Sequence, residues 1–541
     1  MLQLKNITIT HKKDLRELVK DFSFVLNPGD KAVIIGEEGN GKSTLLKLIY
    51  QEALIGEYAE YTGEIQRGGN CIGYLAQELD SSQKEKQVLA YFNDVPGFFD
   101  KTPKELGEIA RLLGLRQDFF YEDRKVETLS GGEKVKLQLA GILMQQPDIL
   151  LLDEPSNDLD AKTLEWLETF LQDCPLPLIY VSHDEMLIEK TANVVIHLEQ
   201  IRRKTLARHT VARMGYQKYI GERLETFERQ EQLAKKERSE YAKQMDRFMR
   251  VQQKVEHQQN IITRQDPHGG RLLKKKMHSV KSMERRFHRQ FEQMKEFPET
   301  ETAVFAKFSD EISIPRSKIV LDFTLEKLTV PMEGGNKENS GAEKQCISSS
   351  GKNEIGNVHA PKKRILSENI HLCVQGPEKV VIIGKNGIGK TTLLRKIAKE
   401  LLGRKDLNAA YMPQNYEELL DFTKTPVEFL QKDYSKEEYS RIRTYLGSMK
   451  YTADEMEHGI GELSGGQKAK LLFLKMSMDQ NDVLVLDEPT RNFSPLSNPV
   501  IRQLLKHFGG AIISISHDRK YIQQVCNKVY CLTEQGLALQ D

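Results

Sequence analysis

Apolar positions along this chain follow two different rhythms. Short β-branched runs, such as Lys31-Ala-Val-Ile-Ile35, Asp148-Ile-Leu-Leu-Leu152 and Leu178-Ile-Tyr-Val181, recur in the first part with helical stretches between them. That alternation predicts a largely parallel sheet covered by helices. From about 221 to about 297 the rhythm changes. No strand-like run occurs, and Gly is absent between Gly221 and Gly269. Apolar residues recur at 241, 245, 248 and 255, then at 280, 283, 287, 291 and 294, and these steps of three, four and seven are helical. A break falls at Asp266-Pro267-His268-Gly269-Gly270, where Pro and paired Gly stop a helix. The pattern predicts two antiparallel helices, the first of about 35 residues and about 50 Å. Strand-like patterning returns near Lys318-Ile-Val-Leu321. Residues 332–362 then interrupt it with a Gly, Ser, Asn and Lys-rich stretch that cannot bury a core and reads as a surface loop.

The expected organisation is therefore an α/β unit at 1–205, a helical linker at 206–300 with its tip near 258–276, and a second α/β unit at 301–541. A length of 541 residues agrees with three to four domains. No apolar run approaches the roughly 18 residues of a membrane helix, and the N-terminus lacks an export pattern. Six scattered cysteines form no CxxC pair, which argues against zinc, iron–sulfur or disulfide frameworks. The net charge is only +1, but residues 243–289 hold 13 Lys/Arg against 4 Asp/Glu, a local +9 that leaves −8 for the rest. A basic island at the tip of a projecting hairpin suits a polyanion.

One set of motifs occurs twice, in the same order. The first reads Gly36-Glu-Glu-Gly39-Asn-Gly41-Lys42-Ser43-Thr44, then Gln77, Leu129-Ser130-Gly131-Gly132, Asp153-Glu154 and His183. The second reads Gly384-Lys-Asn-Gly387-Ile-Gly389-Lys390-Thr391-Thr392, then Gln414, Leu463-Ser464-Gly465-Gly466, Asp487-Glu488 and His517. Signature serine to aspartate is 23 residues in both copies, and aspartate to histidine is 30 in both. The chain is an internal duplication.

The chemistry follows from residue type. A Gly-rich loop entering a helix wraps phosphates in backbone N–H groups, and glycine permits the close approach. Lys42 and Lys390 are expected to reach the β- and γ-phosphates, and Ser43 and Thr391 to give hydroxyls to Mg2+. Asp153 and Asp487 end apolar strands, which aims their carboxylates at the Mg2+ shell. Glu154 and Glu488 follow, placed to polarise an attacking water. His183 and His517 sit in Ser-His-Asp contexts and are expected to sense the γ-phosphate. A lone histidine would more often be structural, but its recurrence at the same spacing favours function.

Together with the Leu-Ser-Gly-Gly segments, these motifs resemble ATP-binding-cassette ATPases over both units. The resemblance implies two P-loop cassettes facing head to tail within one monomer, with ATP and Mg2+ between them. Site one would pair Lys42, Asp153, Glu154 and His183 with Ser464-Gly465-Gly466. Site two would pair Lys390, Asp487, Glu488 and His517 with Ser130-Gly131-Gly132. Two departures stand out. Ser494 occupies a position where the first copy has Asp160 and the family normally has Asp, which implies asymmetric coupling. His11 stands where a base-stacking aromatic is usual, and no counterpart is evident in the second unit.

Permease spans, long coiled-coil insertions and metal-binding cysteines are missing, which leaves tandem cassettes with a helical linker. That arrangement is similar to the ABC-F translation factors. The resemblance implies a cytoplasmic, ribosome-associated protein. It would bind the 70S ribosome at the tRNA exit site, its linker near 23S rRNA and P-site tRNA, rather than DNA or membrane. Arg264, Arg271, Lys274, Lys275, Lys276, Arg285 and Arg286 are the candidate RNA contacts. Only 53 and 50 residues separate the two glutamines from their signature serines, leaving no room for an inserted arm. A small armless chain resembles the antibiotic-resistance branch, which acts against lincosamides, pleuromutilins and streptogramin A. A general factor for stalled ribosomes, the soluble motor of an importer and a DNA-associated ATPase are the alternatives.

Overall fold

The computed structural model describes residues 1–157, 159–201, 204–261, 267–292, 308, 312–331, 363–433 and 435–540. The polar insert at 332–362 and Arg264 lie outside the described residues.

The first α/β unit opens with strands β1 (Leu2–His11) and β2 (Glu17–Leu26), which join β4 (Ala59–Gln66) in an antiparallel sheet of order β2-β1-β4. A second sheet holds β3 (Lys31–Ile35), β5 (Ile72–Leu75), β6 (Ile149–Asp153), β7 (Leu178–Val181), β8 (Val194–Ile201) and β9 (Leu206–Ala212). Its order is β5-β6-β7-β3-β8-β9, parallel except where β9 pairs antiparallel with β8. Four helices matter for the site: α1 (Lys42–Tyr50), α2 (Gly131–Met144), α3 (Ala161–Asp173) and α4 (Glu185–Thr191). Every residue of β6 and β7 is buried, as expected of parallel strands covered on both faces.

The linker consists of α5 (Tyr216–Ile261) and α6 (Pro267–Glu292). The second unit repeats the first. An antiparallel pair, β10 (Ile319–Pro331) and β11 (Lys363–Gln375), precedes β12 (Lys379–Gly384), α7 (Lys390–Leu402) and β13 (Ala409–Met412). Then come α8 (Gly465–Met478), β14 (Val483–Asp487), α9 (Asn498–Lys506), β15 (Ala511–Ile515), α10 (Arg519–Val525), β16 (Lys528–Thr533) and β17 (Gly536–Gln540). The sheet order β13-β14-β15-β12-β16-β17 is that of the first unit, strand for strand. In both sheets the strand bearing the phosphate loop lies next to the strand leading to the histidine, and that strand lies next to the one ending in aspartate. The carboxyl ends of parallel strands form the binding crevice of such sheets.

Two details depart from the sequence expectation. First, β9 belongs to the first sheet, so a boundary at 205/206 falls within the β8–β9 hairpin. The compact units are 1–213 with 301–541, and 214–300. Second, α5 has 46 residues rather than about 35, hence about 69 Å of helix. It runs through Gly221, whose Cα faces open space. Gly269 and Gly270 lie inside the first turn of α6 rather than outside a helix. Pro267 opens that helix, where a missing N–H costs nothing. The hairpin seam is Phe248, Val255, Val280 and Phe287, flanked by Tyr241, Met245 and Met277. Phe287, late in α6, meets Tyr241 and Phe248 at ring-centroid distances of 6.1 and 5.3 Å, which makes the helices antiparallel. Met283 lies off the seam and is exposed. Among the described residues no helix is long and apolar enough to cross a membrane.

Candidate functional site

The two phosphate loops follow β3 and β12 and are built on left-handed glycines. Gly36, Gly39 and Gly41 have φ of 148°, 79° and 84°, and Gly384, Gly387 and Gly389 have 152°, 79° and 98°. A Cβ on Gly36 would sit 2.2 Å from the Leu198 carbonyl oxygen, and one on Gly384 2.7 Å from that of Leu532. Neither α1 nor α7 has a side-chain cap, so their first N–H groups face the loop as an anion cradle. Lys42 Nζ donates to the carbonyls of Gly36 and Glu37 at 2.9 and 3.0 Å. Lys390 Nζ does the same to Gly384 and Lys385 at 2.7 and 3.1 Å. Each ammonium is thereby folded back over its own loop, where phosphates would lie. Thr44 and Thr392 are the third residues of the two helices.

Two of the residues expected at Mg2+ in the first copy meet at the end of β6. Ser43 Oγ donates to Asp153 Oδ1 at 2.8 Å, and Tyr74 Oη donates to Asp153 Oδ2 at 3.2 Å. Tyr74 was not singled out by its sequence, although Tyr411 repeats it three residues before the second glutamine. Burial raises the carboxyls of both Asp153 and Asp487 above the usual range. Among the described residues Asp487 Oδ2 is buried without a hydrogen-bond partner. A hydroxyl beside a buried carboxylate with spare lone pairs is a donor set that fits a hard cation.

Glu154 and Glu488 share a strained backbone, with φ of 52° and 53°. Each donates its N–H to the last carbonyl of the neighbouring strand, Val181 at 3.1 Å and Ile515 at 2.9 Å. The side chains, however, differ. Glu154 Oε1 lies 2.9 Å from His183 Nε2, while His183 Nδ1 donates to the Phe493 carbonyl of the other cassette at 2.8 Å. Burial disfavours both charges, yet each supports the other: the His183 pKa is raised and that of Glu154 lowered. In the second copy the corresponding distance is 3.7 Å, and Glu488 Oε2 instead accepts the His517 N–H at 3.2 Å. Burial there pushes Glu488 up to about 8 and His517 down to about 4.

Both sites are composed across the two cassettes. A cavity of about 1530 Å³ is lined by Ser130 and Gly131 on one side. On the other side stand Gly387, Gly389, Lys390, Thr391, Thr392, Gln414, Asp487, Glu488 and His517. Gly132 lies behind, where a Cβ would meet Thr163 at 2.8 Å. This is site two, and Val330, Arg364 and Leu366 complete its wall. Arg364, 20 residues before Gly384, matches Arg16, 20 residues before Gly36, and is not the counterpart of His11. His11 itself is tied through Nδ1 to Asp14 at 2.7 Å. At site one, Ser464 caps α8, and Gly466 N–H donates to Glu38 of the first loop. Glu37 pairs with Lys470 at 3.0 Å and accepts from Ser494 Oγ at 2.8 Å and from Ser497 Oγ. Gln77 is exposed beyond β5.

A second set of contacts joins the cassettes away from the loops. Arg502, 3% exposed, makes bonds of 2.7 and 3.0 Å to the Glu185 carboxylate, itself 6% exposed. Lys520 pairs with Glu185 at 3.1 Å and with Glu189, and Arg519 pairs with Glu168. Sequence reading missed these residues because their partners lie more than 300 positions away. In the linker, Lys274, Lys275, Lys276, Arg285 and Arg286 are exposed on α6, and Arg271 lies in its second turn.

The family model described as ABC transporter matches residues 19–157 and 367–491. ABC transporter F family member 5 of Arabidopsis thaliana is 25% identical over 585 residues, spanning 98% of this chain and 74% of that protein. The ribosome protection protein VmlR of Bacillus subtilis is 27% identical over 520 residues, spanning 95% of this chain and 83% of that protein. The probable ATP-binding protein YheS of Escherichia coli is 24% identical, spanning 97% of this chain and 78% of that protein. Among solved structures, the archaeal ribosome recycling factor aABCE1 in complex with the stalk protein aP1 superposes with a TM-score of 0.54 at 16% identity, covering 97% of this chain and 87% of that one. At that identity the likeness speaks for the tandem-cassette fold.

Proposed function

We propose that this tandem-cassette chain is an ATPase of the ABC-F type that acts on the bacterial ribosome. It would be cytoplasmic and ribosome-associated. Its α5–α6 hairpin would enter the tRNA exit site of the 70S particle and approach 23S rRNA and P-site tRNA. The observation that carries this reading is the set of exposed cations on α6, Lys274, Lys275 and Lys276 in its third turn and Arg285 and Arg286 further along it. Phosphate neutralisation supplies most of the affinity of such a surface for RNA. Ribosome protection in VmlR, a relative at 27% identity, supports the finer reading that the chain relieves inhibition by drugs at the peptidyl-transferase centre. A general role on stalled ribosomes is the alternative reading, which the same α6 cations support equally.

In this mechanism ATP binds at both composite sites. Ser43 with Asp153, and Thr391 with Asp487, would hold Mg2+, which when bound neutralises the phosphates and polarises them toward attack. Lys42 and Lys390 turn from their own loop carbonyls to the phosphates. Glu154 and Glu488 accept a proton from the attacking water. His183, bonded to the Phe493 carbonyl of the facing cassette, links the state of site one to the opposite half. Hydrolysis removes the phosphate bridge and lets the halves part.

The test is sedimentation of the Glu154→Gln/Glu488→Gln protein with ATP through a sucrose gradient. Loss of water activation with retained binding is expected to shift it into the 70S fraction. If it binds ATP yet stays at the top of the gradient, the ribosomal assignment is wrong. Growth assays with lincosamide, pleuromutilin and streptogramin A then separate drug protection from a general role.

A further inference from the structure

The first phosphate loop carries two carboxylates where the second carries Lys385 and Asn386. Both reach the opposite cassette. Glu38 Oε2 accepts the N–H of Gly466, in the first turn of α8. Gly465 stands beside the same carboxylate, where a Cβ would be 3.5 Å from both oxygens. First-turn N–H groups have no intrahelical partner and lie at the positive end of the helix dipole. They are the groups by which the signature segment would receive the outermost phosphate of a nucleotide held by the facing loop. Glu37 fixes the arrangement through Lys470 and the hydroxyls of Ser494 and Ser497. Burial would raise its carboxyl, but those three partners bring it below the usual carboxylate range.

These contacts also explain a departure in the sequence. Ser494 replaces the Asp found at the matching position 160 of the first copy. An Asp at 494 would set a second carboxylate against Glu37, whereas the serine hydroxyl donates to it. Site two lacks this arrangement. The loop has Lys385, and Lys136, which matches Lys470, lies over the Trp166 ring at 4.5 Å.

We propose that Glu38 is an internal competitor of the γ-phosphate at site one, so that this site discriminates between ATP and ADP through the Gly466 N–H. ADP, which ends at the β-phosphate within the loop, can bind with the Glu38–Gly466 contact intact. ATP must displace the carboxylate to bring its γ-phosphate to the signature segment. The inference rests on reading site one as a nucleotide site.

The test uses the full chain with Lys390→Ala, which silences site two, and titrates the mant derivatives of ADP and of the β,γ-imido analogue of ATP in Mg2+. Glu38→Gln removes the charge-assisted bond, and Glu38→Asp keeps the charge but is one methylene too short to reach Gly466. Both variants are expected to tighten the ATP analogue about tenfold and to leave ADP within about twofold. Tightening by Gln with Asp unchanged would mean simple charge repulsion and would overturn the proposal. So would equal shifts for the two nucleotides, or no shift at all. If neither nucleotide binds to any Lys390→Ala chain while the unmodified chain binds both, site one is not a nucleotide site and the proposal falls with it.

Discussion

The buried bidentate pair between Arg502 and Glu185 gives the sharpest energetic prediction about how the cassettes hold together. Arg502→Ala removes two charge-assisted bonds of 2.7 and 3.0 Å from sites 3% and 6% exposed. Removing one partner of a buried pair costs about 3–5 kcal/mol because the other charge stays desolvated. Here Lys520 remains 3.1 Å from Glu185 and softens the loss, so about 3 kcal/mol is expected. Glu185→Ala strips a partner from both Arg502 and Lys520, though Arg502 keeps Gln524 at 2.9 Å, and a similar cost follows. The double variant is therefore expected to cost less than the sum, with a coupling of about 2 kcal/mol. The assay is urea unfolding followed through Trp166, the only tryptophan, which lies in α3 of the first cassette. Single costs that add within about 0.5 kcal/mol would refute the reasoning, because the pair would then be two independent surface charges.

Three further outcomes are expected. With site one disabled by Glu154→Gln, phosphate release depends on ionised Glu488; a carboxyl held at about 8 is roughly a tenth ionised at pH 7, so the rate rises about tenfold from pH 7 to 9, whereas Glu488→Gln, which leaves the lowered Glu154, is flat over that window. Replacing Lys274, Lys275 and Lys276 with Ala weakens ribosome binding and lowers its logarithmic salt slope by about two to three, while ATP hydrolysis without ribosomes stays unchanged. Gly36→Ala sets a methyl 2.2 Å from the Leu198 carbonyl at a φ of 148°, and titration with a mant nucleotide in the Lys390→Ala chain reads the resulting loss of binding at site one.

The motifs were legible because each is short-range. A glycine loop must follow its strand and precede its helix, and the spacings of 23 and 30 residues set aspartate and histidine at the ends of neighbouring parallel strands. What lay across the interface was not legible. Glu37 and Glu38 occupy variable positions of a phosphate loop, and nothing local says that Lys470 and Gly466 face them. Ser494 could be seen as a departure but not explained without Glu37. Hairpin periodicity identified the seam at 248, 255, 280 and 287 but missed the helix ends, because Gly221, with open space around it, and the first-turn Gly269 and Gly270 cost a helix little. The strand β9 was missed because Leu206-Ala-Arg-His-Thr-Val-Ala212 is only partly buried at the sheet edge, where polar residues are tolerated.

The ion pairs joining the cassettes have a logic that appears only when the duplication is applied to them. From the signature serine onward, matching positions in the two copies differ by 334 residues, as 130 to 464 and 183 to 517 show. By that offset Glu168 matches Arg502, and Glu185 matches Arg519. The observed pairs, Arg502 with Glu185 and Arg519 with Glu168, are thus one contact seen twice across the pseudo-twofold axis. The first copy is acidic at both positions and the second basic at both. Two first cassettes meeting in the same geometry would set Glu168 against Glu185 twice, and two second cassettes would set Arg502 against Arg519 twice. Like charges set against each other at such desolvated positions cost several kcal/mol. The charge pattern therefore selects the pairing of unlike halves, and because the linker supplies the unlike half at high effective concentration, that selection is met within one chain. Divergence of the two copies at these four residues accomplishes what symmetry alone forbids: it makes each cassette complementary to its sister and repellent to its twin.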